Sequence, residues 1–180
     1  MGTVPSHALE VGGRKLRVST EVTRPANTTA YTAKDAIADA ASGALVWTFT
    51  GVARGIGGGG YIVLANIGTN QTTNTETFKL HLFNAAPTAL QDNAACTAPL
   101  YADLSKYVGT ITFPACAVEG TGATMAYANA TPNDSGTKLP MAYLCGADAN
   151  LYGLLETPNG FTPASGQKFT IILVTEPDAL

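Results

Sequence analysis

The sequence predicts an all-β fold, a β-sandwich of jelly-roll type carrying one short helix. Three observations predict it. Apolar residues recur mostly with a period of two, as in "KLRVSTEV" and "TFKLHLFN". The periodic runs are short and separated by clusters of Gly, Pro, Asn and Thr, such as "GTNQTTNT", "NATPNDSGT" and "ETPNGFTPASG". Seven to nine such strands follow one another without interleaved helices, which points to two packed sheets rather than alternating β and α units.

Taken in order, "KLRVSTEV" sets Leu16, Val18, Thr20 and Val22 against Lys15, Arg17, Ser19 and Glu21, a strand with one wet face. "LVWTFT" places Leu45, Trp47 and Phe49 on one side. "YIVLANI" places Tyr61, Val63, Ala65 and Ile67 on one side, with Ile62 and Leu64 on the other. In "TFKLHLFN", Phe78, Leu80 and Leu82 face inward, and Lys79 and His81 face solvent. "TITF", "TMAYA" and "LYGLLE" follow. "KFTIILVTE" is apolar on both faces, as a central strand is. "YTAKDAIADAASG" fits a short helix or an irregular strand. One helix is expected over about 98–108, with Thr97 as N-cap, Pro99 in the first turn and Gly109 beyond the end. Its apolar face would hold Leu100, Leu104, Tyr107 and Val108.

The 180 residues suit one domain, expected over 15–180, preceded by a flexible arm over 1–14 that lacks an apolar period. Charged residues are only 13% of the chain and hydrophobic ones 46%. A surface so poor in charge is expected to be covered in part by neighbours, in an oligomer or larger assembly. The net charge of −3 and the scattered basic residues argue against nucleic-acid binding. No run reaches the roughly 18 apolar residues of a membrane span, and "MGTVPSHALEVGG" has no secretory apolar region. Cys96, Cys116 and Cys145 form no CxxC pair, which fits reduced thiols from a cytosol better than a zinc site or a disulfide framework. Asn27, Asn70, Asn129 and Asn133 match N-x-[ST], as a Thr-rich chain does by chance.

Gly55, Gly57 and Gly60 in "RGIGGGGYIVL" have the G-x-G-x-x-G spacing of a dinucleotide loop. That loop needs a helix N-terminus directly after it, to meet the pyrophosphate. Here a strand follows, so no cofactor is expected. The stretch reads as a hairpin connection between strands 45–50 and 60–67 with more glycine than turning requires. The surplus predicts either a mobile loop or close approach to another chain, which makes Gly57, Gly58 and Gly59 interaction candidates. No G-x-S-x-G occurs, and a Ser/His/Asp triad would have to use His7 or His81. "DNAAC" and "NATPNDSG" lack the ligand spacing of a calcium loop. Neither catalytic nor metal-binding residues are expected, and the chain is read as a non-enzyme.

The segments "TEVTRPANTTAYTAKDAIAD", "LHLFNAAPTALQDNAACT", "LSKYVGTITF", "LYGLLET" and "FTPASGQKFTIILVTE", in this order, resemble small structural proteins of tailed bacteriophage particles. The resemblance runs from about residue 15 to 176 and is carried by the shared order of the segments; in "RPANTTAY", Arg24, Pro25, Asn27, Thr28, Thr29 and Tyr31 stand in the matching places. It implies a capsid decoration (cement) protein on the outer surface of the virion, assembled in the host cytoplasm. Its partners would be the major capsid protein and itself, as a homotrimer, with Arg24, Pro25, Asn27 and Tyr31 among the contact residues. The alternative is a glycan-binding or host-attachment module of the tail or fibre, with Tyr31, Tyr127, Tyr143, Tyr152 and Phe161 available for stacking on sugars.

Overall fold

A computed structural model describes residues 15–39, 44–130 and 138–178. The expected arm over 1–14 lies outside the described residues, as does Asn133. The described residues form ten strands and one 3-10 helix: β1 (Leu16–Thr23), β2 (Asp35–Ile37), β3 (Trp47–Phe49), β4 (Gly59–Thr69), β5 (Phe78–Phe83), the 3-10 helix (Tyr101–Lys106), β6 (Tyr107–Phe113), β7 (Ala126–Asn129), β8 (Met141–Leu144), β9 (Leu151–Thr157) and β10 (Lys168–Pro177).

All pairings are antiparallel and make two sheets. Sheet 1 runs β1-β10-β4-β7, with β8 also on β4; sheet 2 runs β2-β9-β5-β6, with β3 also on β9. A strand has two hydrogen-bonding edges. β7 and β8 therefore share the edge of β4 that β10 leaves open, at 66–69 and 59–62. β2 and β3 likewise sit end to end on β9, opposite β5. Merging each pair leaves eight strands in the sheet orders 1-8-3-6 and 2-7-4-5, the double Greek key of a jelly roll. "KFTIILVTE" is the central strand expected of it, pairing with β1 on one side and β4 on the other.

The core lies between the sheets. Phe49, Phe78, Leu80 and Leu82 from sheet 2 meet Ile62, Ile67, Phe169 and Ile171 from sheet 1, all at most 1% exposed. Phe78 and Phe169 pack edge to face across the interface at 5.4 Å. Trp47 is buried and donates its indole N–H to the Ile37 carbonyl at 3.0 Å.

Two expectations need correction, and one open alternative is decided. The first concerns β4. Ile62 pairs with Thr175 and Leu64 with Val174, so Val63 is an extra residue, a β-bulge. The bulge reverses the alternation: Ile62 points into the core with Ala65 and Ile67, while Tyr61 is 49% exposed. The second concerns the helix. Only Tyr101–Lys106 is helical, in 3-10 form, and Leu100 rather than Thr97 precedes it, without a side-chain cap. Tyr107 and Val108 belong to β6, because Tyr107 pairs with Phe83 and the alternating "YVGTITF" gains a full ladder against β5. Tyr101 and Leu104 point outward, and the buried side chain is Asp103, which accepts from the Thr88 N–H at 3.2 Å and pairs with Lys106 at 3.0 Å. The alternative concerns "YTAKDAIADAASG": its Asp35–Ile37 part is strand, while 40–43 lie outside the described residues.

Candidate functional site

The "RPANTTAY" segment leaves β1 and turns back toward sheet 2. Arg24 is 1% exposed, so its donors must be satisfied inside the protein. Nε donates to the Tyr31 hydroxyl at 2.9 Å, one terminal nitrogen to the Asn27 carbonyl at 2.6 Å, and the other forms an ion pair with Asp92 at 3.1 Å. The guanidinium also lies 5.0 Å from the centre of the Tyr31 ring. The Tyr31 hydroxyl donates to Asp92 Oδ1 at 2.6 Å, and burial together with that carboxylate pushes its pKa well above the usual phenol range. Phe161 stacks on Tyr31 at 5.0 Å. Arg24 and Tyr31 thus tie three distant chain segments together and present almost nothing to a neighbour. Pro25 is half-buried; Asn27 is exposed, with its side-chain oxygen accepting from the Thr29 N–H at 3.0 Å.

The glycine-rich stretch is not a hairpin, because β3 belongs to sheet 2 and β4 to sheet 1. It is an arch between sheets, bound to its own chain. The Gly57 N–H donates to Asp148, Val52 N–H to Ala149, Cys145 N–H to Gly58 and Asp178 N–H to Gly59, each at 2.9 Å. A Cβ on Gly59 would stand 2.9 Å from the Tyr143 carbonyl, and one on Gly60 2.4 Å from that of Glu176. Gly57 has φ +68°, a conformation side chains disfavour. The surplus glycine therefore serves intramolecular approach. Gly59 is buried, Gly58 half-buried and Gly57 exposed, beside Ile56 at 81% exposure.

The outer faces of the two sheets differ. On sheet 2, Lys79, His81 and Phe83 alternate with the inward residues of β5, and Leu154 and Glu156 with those of β9. His81, Phe83, Leu154 and Glu156 are nevertheless buried. The β5–β6 connection covers them, anchored by Ala94 accepting from the Ala36 N–H at 2.8 Å and the Cys96 N–H donating to Lys34 at 2.7 Å. His81 is therefore not solvated as expected from its strand face. Its Nε2 lies 2.9 Å from Glu156 Oε2, and Cys96 offers its thiol within 4.8 Å of both. A hydrogen bond with His81, aided by Lys79 and Lys34, holds the Glu156 carboxyl below its ordinary range against the opposing effect of burial. Cys116 and Cys145 are buried free thiols whose pKa burial pushes up to about 11; Cys96 is half-buried. This cluster escapes sequence reasoning because its members are distant in the chain. The only sequence hint is a connection too long for a hairpin.

Among the described residues, the outer face of sheet 1 is exposed or half-buried. The register aligns Arg17, Val174 and Leu64 in one row, Ser19, Ile172, Asn66 and Asn129 in the next, and Glu21, Thr170, Gly68 and Tyr127 in a third. Leu64 is 40% and Met125 52% exposed. Gly68, lacking a side chain between Thr170 and Tyr127, lies in a groove of about 590 Å³ whose walls include Met125, Tyr127 and Ile172. At its polar end Lys168 and Glu21 form an exposed ion pair at 2.7 Å. Of the stacking candidates only Tyr127 lines the groove; Tyr31 and Tyr143 are buried.

No protein-family model matches the chain, and no curated protein matches it.

Proposed function

We propose that the protein is a structural component of a bacteriophage particle, a decoration protein that binds the outer capsid surface at junctions between major capsid subunits as a homotrimer. One observation carries this reading: the β5–β6 connection covers the outer face of sheet 2, whereas among the described residues the outer face of sheet 1 keeps Leu64 and Met125 exposed. That face mixes aliphatic, amide and hydroxyl groups with few charges, a composition suited to broad contact with another protein. Three copies held together would convert weak single contacts into firm attachment. The jelly-roll architecture agrees with such a role, as capsid domains use it, and lectins use it too. The resemblance of "RPANTTAY" and the segments after it supports the same reading.

The test is to add the purified protein to shells that lack it and measure saturation. The proposal expects binding at every equivalent junction, a free mass of three chains by light scattering, and shells that resist heating better once saturated. Binding restricted to a few sites per particle, or none, would overturn it.

The groove over Gly68 favours a second reading, a glycan-binding module, because Tyr127 and the amide of Asn66 combine a stacking face with polar groups. Glycan-array binding that is lost when Gly68→Leu fills the groove would favour that reading over the first.

A further inference from the structure

We propose that His81, Cys96 and Glu156 form a site for a borderline-soft divalent cation, zinc above all, which clips the β5–β6 connection onto sheet 2. One ligand atom from each residue lies within 4.8 Å of the others. Tetrahedral zinc at its usual bond lengths of about 2.0–2.3 Å holds ligand atoms about 3.3–3.8 Å apart. The cluster brackets that spacing, so a small rotation of side chains closes it. Imidazole nitrogen, thiolate sulfur and carboxylate oxygen together form the donor mixture that zinc accepts and that calcium or magnesium does not.

The surroundings fit the role. His81 stands on β5 and Glu156 on the neighbouring β9, both 5% exposed, so two ligands come from a rigid sheet. The third comes from the connection that covers them, with its backbone fixed by the bond from Cys96 to Lys34. His81 Nδ1 faces Thr110 Oγ1 at 3.4 Å, and Thr110 in turn bonds the Tyr107 hydroxyl. That partner directs Nε2 toward Cys96 and Glu156, as outer-shell bonds do for metal-bound histidines. Lys79 lies 3.7 Å from the other oxygen of Glu156 and would steady the carboxylate while Oε2 turns to the metal. Binding releases the Cys96 thiol proton to solvent and displaces the proton that His81 Nε2 shares with Glu156, which moves to Nδ1 from a neutral ring or to solvent from a charged one, so loading strengthens as pH rises.

Cobalt(II) serves as the probe, added to the full chain after treatment with chelator and reductant. The site predicts one equivalent bound, with a sulfur-to-cobalt charge-transfer band and intense visible bands that zinc abolishes. Cys96→Ser removes the charge-transfer band, and Glu156→Gln keeps it with affinity weaker by at least about tenfold. Zinc at 100 times its dissociation constant raises the thermal midpoint of the native chain by roughly 5–10 °C and leaves that of Cys96→Ser unchanged. X-ray absorption on the zinc-loaded native chain, which needs no variant to fold, shows one sulfur among nitrogen and oxygen neighbours. Absence of the charge-transfer band, its persistence in Cys96→Ser, or a sulfur-free zinc shell overturns the proposal.

Discussion

A guanidinium with no route to water must find its hydrogen bonds inside the fold, and Arg24 finds them in Tyr31, Asn27, Ala164 and Asp92. Removing one member of such a pair leaves the other charge buried and uncompensated. Arg24→Met or Asp92→Asn should therefore cost about 3–5 kcal/mol each, with the double variant far less costly than their sum. A double-mutant cycle in urea measures this, and additive losses would refute the coupling. Arg24→Lys should also fail, because an ammonium cannot span the donors of the fork. The sequence made Arg24, Asn27 and Tyr31 legible as a group. It hid their role, because Asp92 is 68 residues away from Arg24 and only the fold joins them. The same distance effect hides Glu156 from His81. The Glu156 carboxyl is held below its ordinary value of 4.5, first by His81. A depressed folded pKa contributes stability that is present above the unfolded pKa and lost as pH falls through the folded one. With chelator present, the native chain should lose stability as pH falls below about 4.5 more steeply than Glu156→Gln does. Parallel curves for the two proteins would exclude Glu156 as a source of that slope.

At the scale of elements, strands were legible wherever a period of two ran uninterrupted: β1 keeps the predicted alternation of covered and wet residues along its length. β4 lost its predicted phase at Val63, since a bulge is set by pairing with β10 and not by the strand's own pattern. The helix was overestimated because the helical and strand patterns overlap at Tyr107 and Val108, and the ladder to β5 took them. Two kinds of glycine differ in what surrounds them, one in the arch and one in the connection between β6 and β7. Gly60 touches the backbone of β10, so Gly60→Ala should force the sheet apart locally and cost about 1–3 kcal/mol. Gly120 has open space around it, and Gly120→Ala should fall within about 0.5 kcal/mol of the native chain. Thermal midpoints of the two variants decide; equal midpoints would mean that the arch is as slack as surplus glycine suggests.

At the scale of the molecule, two sheets bury one face each against the other, and the chain then treats the remaining faces unequally. Composition announced a surface poor in charge; which face carries it depends on where the β5–β6 connection lands, and no local pattern encodes that. If the outer face of sheet 1 is the surface that meets the shell, a carboxylate placed there must be desolvated on binding. Leu64→Glu, at a site already 40% exposed, should leave the thermal midpoint nearly unchanged. A charge buried without a partner at an interface costs about 2–5 kcal/mol, so shell affinity should drop about a hundredfold or more. In the proposed trimer the loss would be multiplied, since each of its three chains would carry the same defect. Tyr101→Glu supplies the contrast: it is 91% exposed, but lies on the 3-10 helix of the connection that covers sheet 2. Co-sedimentation with empty shells should show Leu64→Glu in the supernatant and Tyr101→Glu in the pellet with the native protein. The reverse pattern would turn the molecule over, with the covered sheet against the shell and sheet 1 toward solvent.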